Sequence, residues 1–217
     1  MPMFLLVLSL TLFGKPLALV GGGVALWAVI GLWRRSDSPS SQCHHGCVLL
    51  ATGVLVGGPV AAIKMVEHRI VLARVPDPLR VSMIEYRSEE DGGGVGLPGD
   101  NETGFVVYRL TADSARWARA QGLRLPGKLL PANADLRATP VDGEADHGWR
   151  AARGTSRSPP TMATYLNRYG FGIDPHGYDA EANAAIRSPG SFYTYGRGGS
   201  ITIVDPGRGK VYFAYAG

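Results

Sequence analysis

Two apolar runs occupy most of the first 64 residues of this 217-residue chain, and they limit its fold more than any motif does. Residues 3–33 carry a single charge, Lys15, and residues 48–63 carry none. A helix that crosses the hydrocarbon core of a bilayer needs about 20 apolar residues. The stretch 16–33 nearly supplies them and ends on Trp33, an aromatic suited to the interface. The stretch 48–63 is a slightly short second span. With 34–47 as the connecting loop, residues 1–64 read as a membrane anchor, a transmembrane helical hairpin held in the lipid bilayer.

Residues 3–13 admit three readings: an extension of the first helix through the Gly14-Lys15-Pro16 break, a short extra pass, or the apolar region of a signal peptide. Cleavage is disfavoured, because no basic segment precedes the run and no convincing small-residue site follows it. Orientation rests on Lys and Arg close to the span ends. Arg34 and Arg35 abut the first span and favour a cytoplasmic loop, with the body on the far side. Lys64, Arg69 and Arg74 argue the other way. The first arrangement is preferred, since no side-chain charge before Lys15 holds the N-terminus inside.

Charge separates the two parts. Lys15, Arg34, Arg35 and Lys64 precede residue 65, against Asp37 alone among the acids, so the basic excess lies in the anchor and its flanks. The body, 65–217, is near neutral, and the overall pI gives no reason to expect nucleic-acid binding. A body of this length can bury a core unaided, and it contains no cysteine, so it folds without disulfides. Its excess of Arg over Lys and its wealth of Gly and Ala point to a bacterial, GC-rich source.

The body reads as α+β. Residues 66–75 look like a membrane-proximal strand or linker, interrupted by Pro76-Asp77-Pro78. Residues 80–86 alternate as a strand, 88–104 form a Gly- and acid-rich loop, and 105–110 (FVVYRL) form the strongest internal strand. Thr111 can cap a helix over 112–121 that Gly122 ends. Residues 123–160 are weakly patterned. A second helix follows, with Thr161 as cap and Met162, Tyr165, Leu166 and Tyr169 as one apolar stripe. A third, Ala-rich helix covers 178–187. Residues 191–195, 200–205 and 210–216 alternate as three strands, with turns at 196–199 and 206–209, so a C-terminal β-meander spans 191–216. The whole is expected to be a mainly antiparallel sheet of about five strands with two or three short helices.

Several clusters invite chemistry. Cys43, His44, His45 and Cys47 could bind zinc or copper, although their spacing fits no zinc knuckle and no haem-attachment motif; a plain interfacial loop is the preferred reading. Asp146 with His147, and Asp174 with His176, lie in two turns, and a metal-assisted hydrolase would need those turns to converge. No GxSxG elbow is present, and the glycine loop at 92–104 lacks the Gly-Lys-Ser/Thr ending of a phosphate-binding loop while carrying acids that repel phosphate. No nucleotide, metal or other cofactor is therefore expected. Gly53 and Gly57 form a GxxxG pair fit for close helix packing, against the neighbouring span or another membrane subunit. Tyr193, Tyr195, Tyr212 and Tyr215, with Arg197 and Arg208 in the turns, are candidates for a partner-binding surface.

These features together favour a non-enzymatic binding or accessory protein of a bacterial inner membrane, with its soluble domain in the periplasm. It would act through contacts with another membrane or periplasmic protein, as a subunit of a membrane assembly or as an inhibitor or immunity-type protein. The competing reading is the metal-assisted hydrolase built from His147, His176, Asp174 and Asp146.

Overall fold

A computed structural model describes residues 57–58, 60–91, 102–129, 136–142, 160–167, 173–196 and 199–216. The first expected span, the 34–47 loop with Cys43, His44, His45 and Cys47, and Gly53 lie outside them, as do Asp146 and His147. Among the described residues no helix is long and apolar enough to cross a membrane. The chain divides after Val71 into two units.

Helical backbone covers 57–58 in the first unit and then 60–72, which ends one residue past the division and is called α1. This corrects the reading of 66–75 as a strand or linker. The local sequence explains the difference: Lys64, Glu67 and Arg69 are sound helix formers, and Lys64 Nζ pairs with Glu67 Oε2 at 3.0 Å one turn on.

The second unit is an α+β fold on one six-stranded antiparallel sheet. Its strands are β1 (Val81–Asp91), β2 (Glu102–Leu110), β3 (Arg137–Ala138), β4 (Phe192–Tyr195), β5 (Ser200–Asp205) and β6 (Lys210–Ala216). Their order across the sheet is β1-β2-β6-β5-β4-β3. The C-terminal meander β4-β5-β6 thus docks its last strand against β2, with Phe105 opposite Ala214 and Val107 opposite Tyr212. The sheet has six strands rather than about five because the two-residue β3 pairs with β4 from within a stretch that shows no strand pattern. The stretch Ser88–Asp91, with three acids and read as loop, extends β1 and pairs with β2 as far as Asp91 opposite Glu102.

Among the described residues three short α-helices join the sheet: α2 (Ala112–Gln121), α3 (Met162–Leu166) and α4 (Asp179–Arg187). The Thr111 hydroxyl accepts the Ser114 N–H at the start of α2, and Gly122, at φ 52°, ends it in a conformation that disfavours other residues. Thr161 caps α3 in the same way through Thr164 N at 3.0 Å. α3 packs on β2 and β6, and α4 on β5. Together they bury Met162, Tyr165, Leu166, Ala182, Ala185 and Ile186 against one sheet face that carries Phe105, Val107, Ile201, Ile203, Tyr212 and Ala214. The alternate residues Val106, Tyr108, Val204 and Val211 are buried as well. β2 is therefore apolar on both faces, which is why FVVYRL shows no alternation.

Candidate functional site

The register of β1 against β2 slips between Ile84 and Tyr86. A bulge lets two successive residues share a face. Here Glu85 and Tyr86 both turn toward the face that carries α3 and α4. Tyr86 packs against the core cluster, and Glu85 meets Lys210 and Arg109.

Lys210 opens β6 and lies below this bulge. Its Nζ is 2.6 Å from Glu181 Oε2, in the first turn of α4, and 2.9 Å from Glu85 Oε2. The Lys210 side chain is 10% exposed and that of Glu85 6%. The 2.9 Å approach brings the charges together without hydrogen-bond geometry at Glu85 Oε2, so the Glu181 bond is the directional one. Burial works against the Lys210 ammonium, but its bond to Glu181 and the close carboxylate charges of Glu181 and Glu85 outweigh it and hold the lysine above its ordinary range. Tyr212 OH reaches the same Glu181 oxygen at 3.4 Å. Burial first, then the negative charges of Asp205 and Glu181, push its phenol far above the usual tyrosine range. Beside them Asp205 takes the Arg208 backbone N–H at 3.0 Å and its guanidinium at 2.7 Å, which fastens the β5–β6 turn and raises the Arg208 pKa.

Above this closed ion network sits a patch of rings. Tyr178 lies 5.2 Å from Tyr86 between centroids, with the Lys210 ammonium 5.2 Å from the Tyr178 ring. His176 stands 5.8 Å from Tyr86. Tyr86 OH donates to the Asp174 carbonyl at 2.9 Å, and His176 Nδ1 lies 2.8 Å from the same carbonyl. A carbonyl only accepts, so Nδ1 donates to it, with Tyr86 OH 3.0 Å from the same ring nitrogen. Asp174 Oδ1 accepts the His176 backbone N–H at 2.9 Å, which holds the turn with His176 at φ 46°. His176 and Arg109 are exposed, and Tyr86, Tyr178 and Glu181 are half-buried.

The tyrosines named from the sequence do not form one surface. Tyr193 and Tyr212 are buried in the core, at 4% and 0% exposure. Tyr195 is half-buried on that same face, stacked on Tyr165. Tyr215 is half-buried on the opposite face, where Arg74 lies 5.2 Å above its ring and 4.7 Å above Phe213. Arg74 also pairs with Glu89 at 3.0 Å. Burial raises the Glu89 pKa, but Arg87 and Arg74 more than offset it and leave the carboxyl below its ordinary range. A Cβ added to Gly57 would meet no atom within 4 Å. Arg197 lies outside the described residues.

His176 and Asp174 adjoin, yet the Asp174 carboxylate serves its own turn and one ring nitrogen of His176 is occupied. Among the described residues no three His, Cys, Asp or Glu side chains are grouped to hold a metal ion. The residues the structure does bring together, Glu85, Tyr86, Tyr178, Glu181 and Lys210, carry no motif. Only Tyr178 and Glu181, three residues apart at the start of α4, share a local signal. No family model, curated protein or solved structure matches the chain.

Proposed function

We propose that this chain is a non-enzymatic binding protein of a bacterial inner membrane. Its N-terminal apolar runs form a transmembrane helical hairpin, and its α+β unit stands in the periplasm and contacts another membrane or periplasmic protein. The ring patch of Tyr86, Tyr178 and His176, with exposed Arg109 paired to the adjacent Glu85, carries this reading. Tyr and Arg are the side chains most enriched where proteins bind one another, because each combines a large contact area with polar atoms. The groups beneath the patch are spent on each other. Lys210 is held protonated between two carboxylates, so it offers no nucleophile, and Tyr212 keeps its proton. That arrangement suits a rigid support for a contact surface better than proton-transfer chemistry.

Crosslinking of the full-length protein in its native membrane, followed by mass spectrometry, tests the reading. Crosslinks to one other protein should be recovered and should weaken in Tyr178→Ala and Arg109→Ala. Recovery of the wild-type chain only as a free monomer would count against it.

A further inference from the structure

Helix α1 bears an apolar stripe, and its continuity with the anchor indicates what covers it. At 3.6 residues per turn, Ile63, Val66 and Ile70 recur at i, i+3 and i+7 and line up on one side. Ala61 and His68 fall on the opposite side, Lys64 and Arg69 lie to either side of the stripe, and Glu67 borders it one turn after Ile63. Val66 is 44% and Ile70 49% exposed within the chain, and the neighbouring Met65 is 59% exposed. Three large apolar side chains standing free in water within six residues are unfavourable, since burying each one contributes about 1.5–3 kcal/mol.

The stripe begins where the uncharged run 48–63 ends. Pro59 lacks the amide hydrogen that a continuous helix would use there, and its ring opposes a straight continuation, so the sequence favours a change of direction just before α1. A helix that leaves the hydrocarbon at such a break, with one apolar side and cations alongside, can lie in the plane of the interface. Lys64, whose side chain is 74% exposed, and Arg69, next to Ile70, are placed to reach headgroup phosphates.

We infer that residues 60–72 form an interfacial helix laid along the leaflet from which the chain emerges. Ile63, Val66 and Ile70 rest at the boundary of acyl chains and headgroups, Lys64 and Arg69 meet lipid phosphates, and Ala61 and His68 face water. The inference deepens the membrane reading above and rests on it.

The full-length protein with Cys43→Ser and Cys47→Ser, reconstituted into phosphatidylethanolamine–phosphatidylglycerol vesicles, provides the test. Nitroxide labels are attached through Ala61→Cys, Val66→Cys, His68→Cys or Ile70→Cys, one at a time. Their collision with oxygen, which concentrates in lipid, is compared with collision with a water-soluble nickel chelate. Labels at 66 and 70 should favour oxygen, and labels at 61 and 68 the chelate. Four water-accessible labels on protein that floats with the vesicles would overturn the interfacial helix and leave the anchor standing. Four oxygen-accessible labels would overturn it too, in favour of a span running through Ile70. Protein that does not float with the vesicles would overturn the membrane reading itself.

Discussion

Lys210 at the start of β6 binds Glu181 in the first turn of α4 across 2.6 Å, with Glu85 of the β1 bulge 2.9 Å away on the other side of the ammonium. One lysine thus joins an edge strand, an inner strand and a helix. Removing it would leave the almost fully buried Glu85 carboxylate with only the solvent-exposed Arg109 as its partner. Breaking a buried pair from one side typically costs about 3–5 kcal/mol, whereas replacing both partners by apolar groups of similar volume is often neutral. Lys210→Met should therefore lower the unfolding midpoint markedly, and Lys210→Met with Glu85→Leu should restore most of it. Thermal unfolding in mild detergent, followed by circular dichroism, makes the comparison; a double variant as unstable as the single one would show that the pair is not the unit.

Gly104 on β2 lies opposite Tyr215 on β6, and a Cβ at that position would fall within the Tyr215 ring. Gly104→Ala has to push the ring aside and with it the stacking of Arg74. A loss of about 1–3 kcal/mol is expected, in the range of an overpacked site. Tyr215→Ala should cost stability on its own, yet make Gly104→Ala nearly harmless in the double variant. Additive losses would place the strain elsewhere.

Alkali should reveal Tyr108 and Tyr212. Burial pushes the Tyr108 phenol up to about 12 against the pull of Arg74, and Tyr212 is held higher still. Lys210 is raised as well. Groups whose pKa is higher in the folded state bind protons more tightly there. Their stabilisation is complete below the unfolded values near ~10 and is lost as pH rises through the folded ones. Near-ultraviolet absorbance should show ordinary tyrosines ionising first, then a late step coincident with loss of structure. Tyr108→Phe should reduce the late step.

Acid acts in the opposite sense through Glu89. Its folded pKa is lowered by Arg87 and Arg74, so its contribution is present above the unfolded carboxylate value near ~4.3 and disappears as pH falls through the folded one. Glu89→Gln should weaken the protein at neutral pH and flatten the acid limb of its stability profile. An unchanged limb would mean that the Arg74–Glu89 pair adds nothing in solution.

The hydrolase alternative makes a contrary demand. His176 and Asp174 would need His147 and Asp146 beside them to form a metal site. Elemental analysis of protein purified without chelators should find zinc and copper well below one per chain, and His176→Ala should leave the content unchanged. One equivalent of metal lost on that substitution would revive the enzyme.

Local signals made much of this fold readable. Thr111, Gly122 and Thr161 announce helix ends because caps act within a few residues, and the alternation of 200–205 and 210–216 marks strands that pair through short turns. The candidate site was not readable, because it depends on long-range register. Nothing near Glu85 signals the slip that turns it and Tyr86 to one face, and Lys210 meets Glu181 only after β6 has docked against β2. The tyrosines misled for a related reason. Alternation separates Tyr212 from Tyr215 by face, but it cannot say that α3 and α4 will cover the Tyr212 side. The helix through residue 72 was missed because ten residues with mixed polar and β-branched side chains satisfy a strand pattern as well as a helical one.

Anchoring in the bilayer underlies the proposed function, and carbonate extraction addresses it directly. Alkaline carbonate strips peripheral proteins from membranes and leaves those whose helices lie in hydrocarbon. Full-length chain expressed in a bacterial host should stay with the washed membrane pellet and enter solution only with detergent. Full-length chain recovered in the carbonate supernatant would contradict the account.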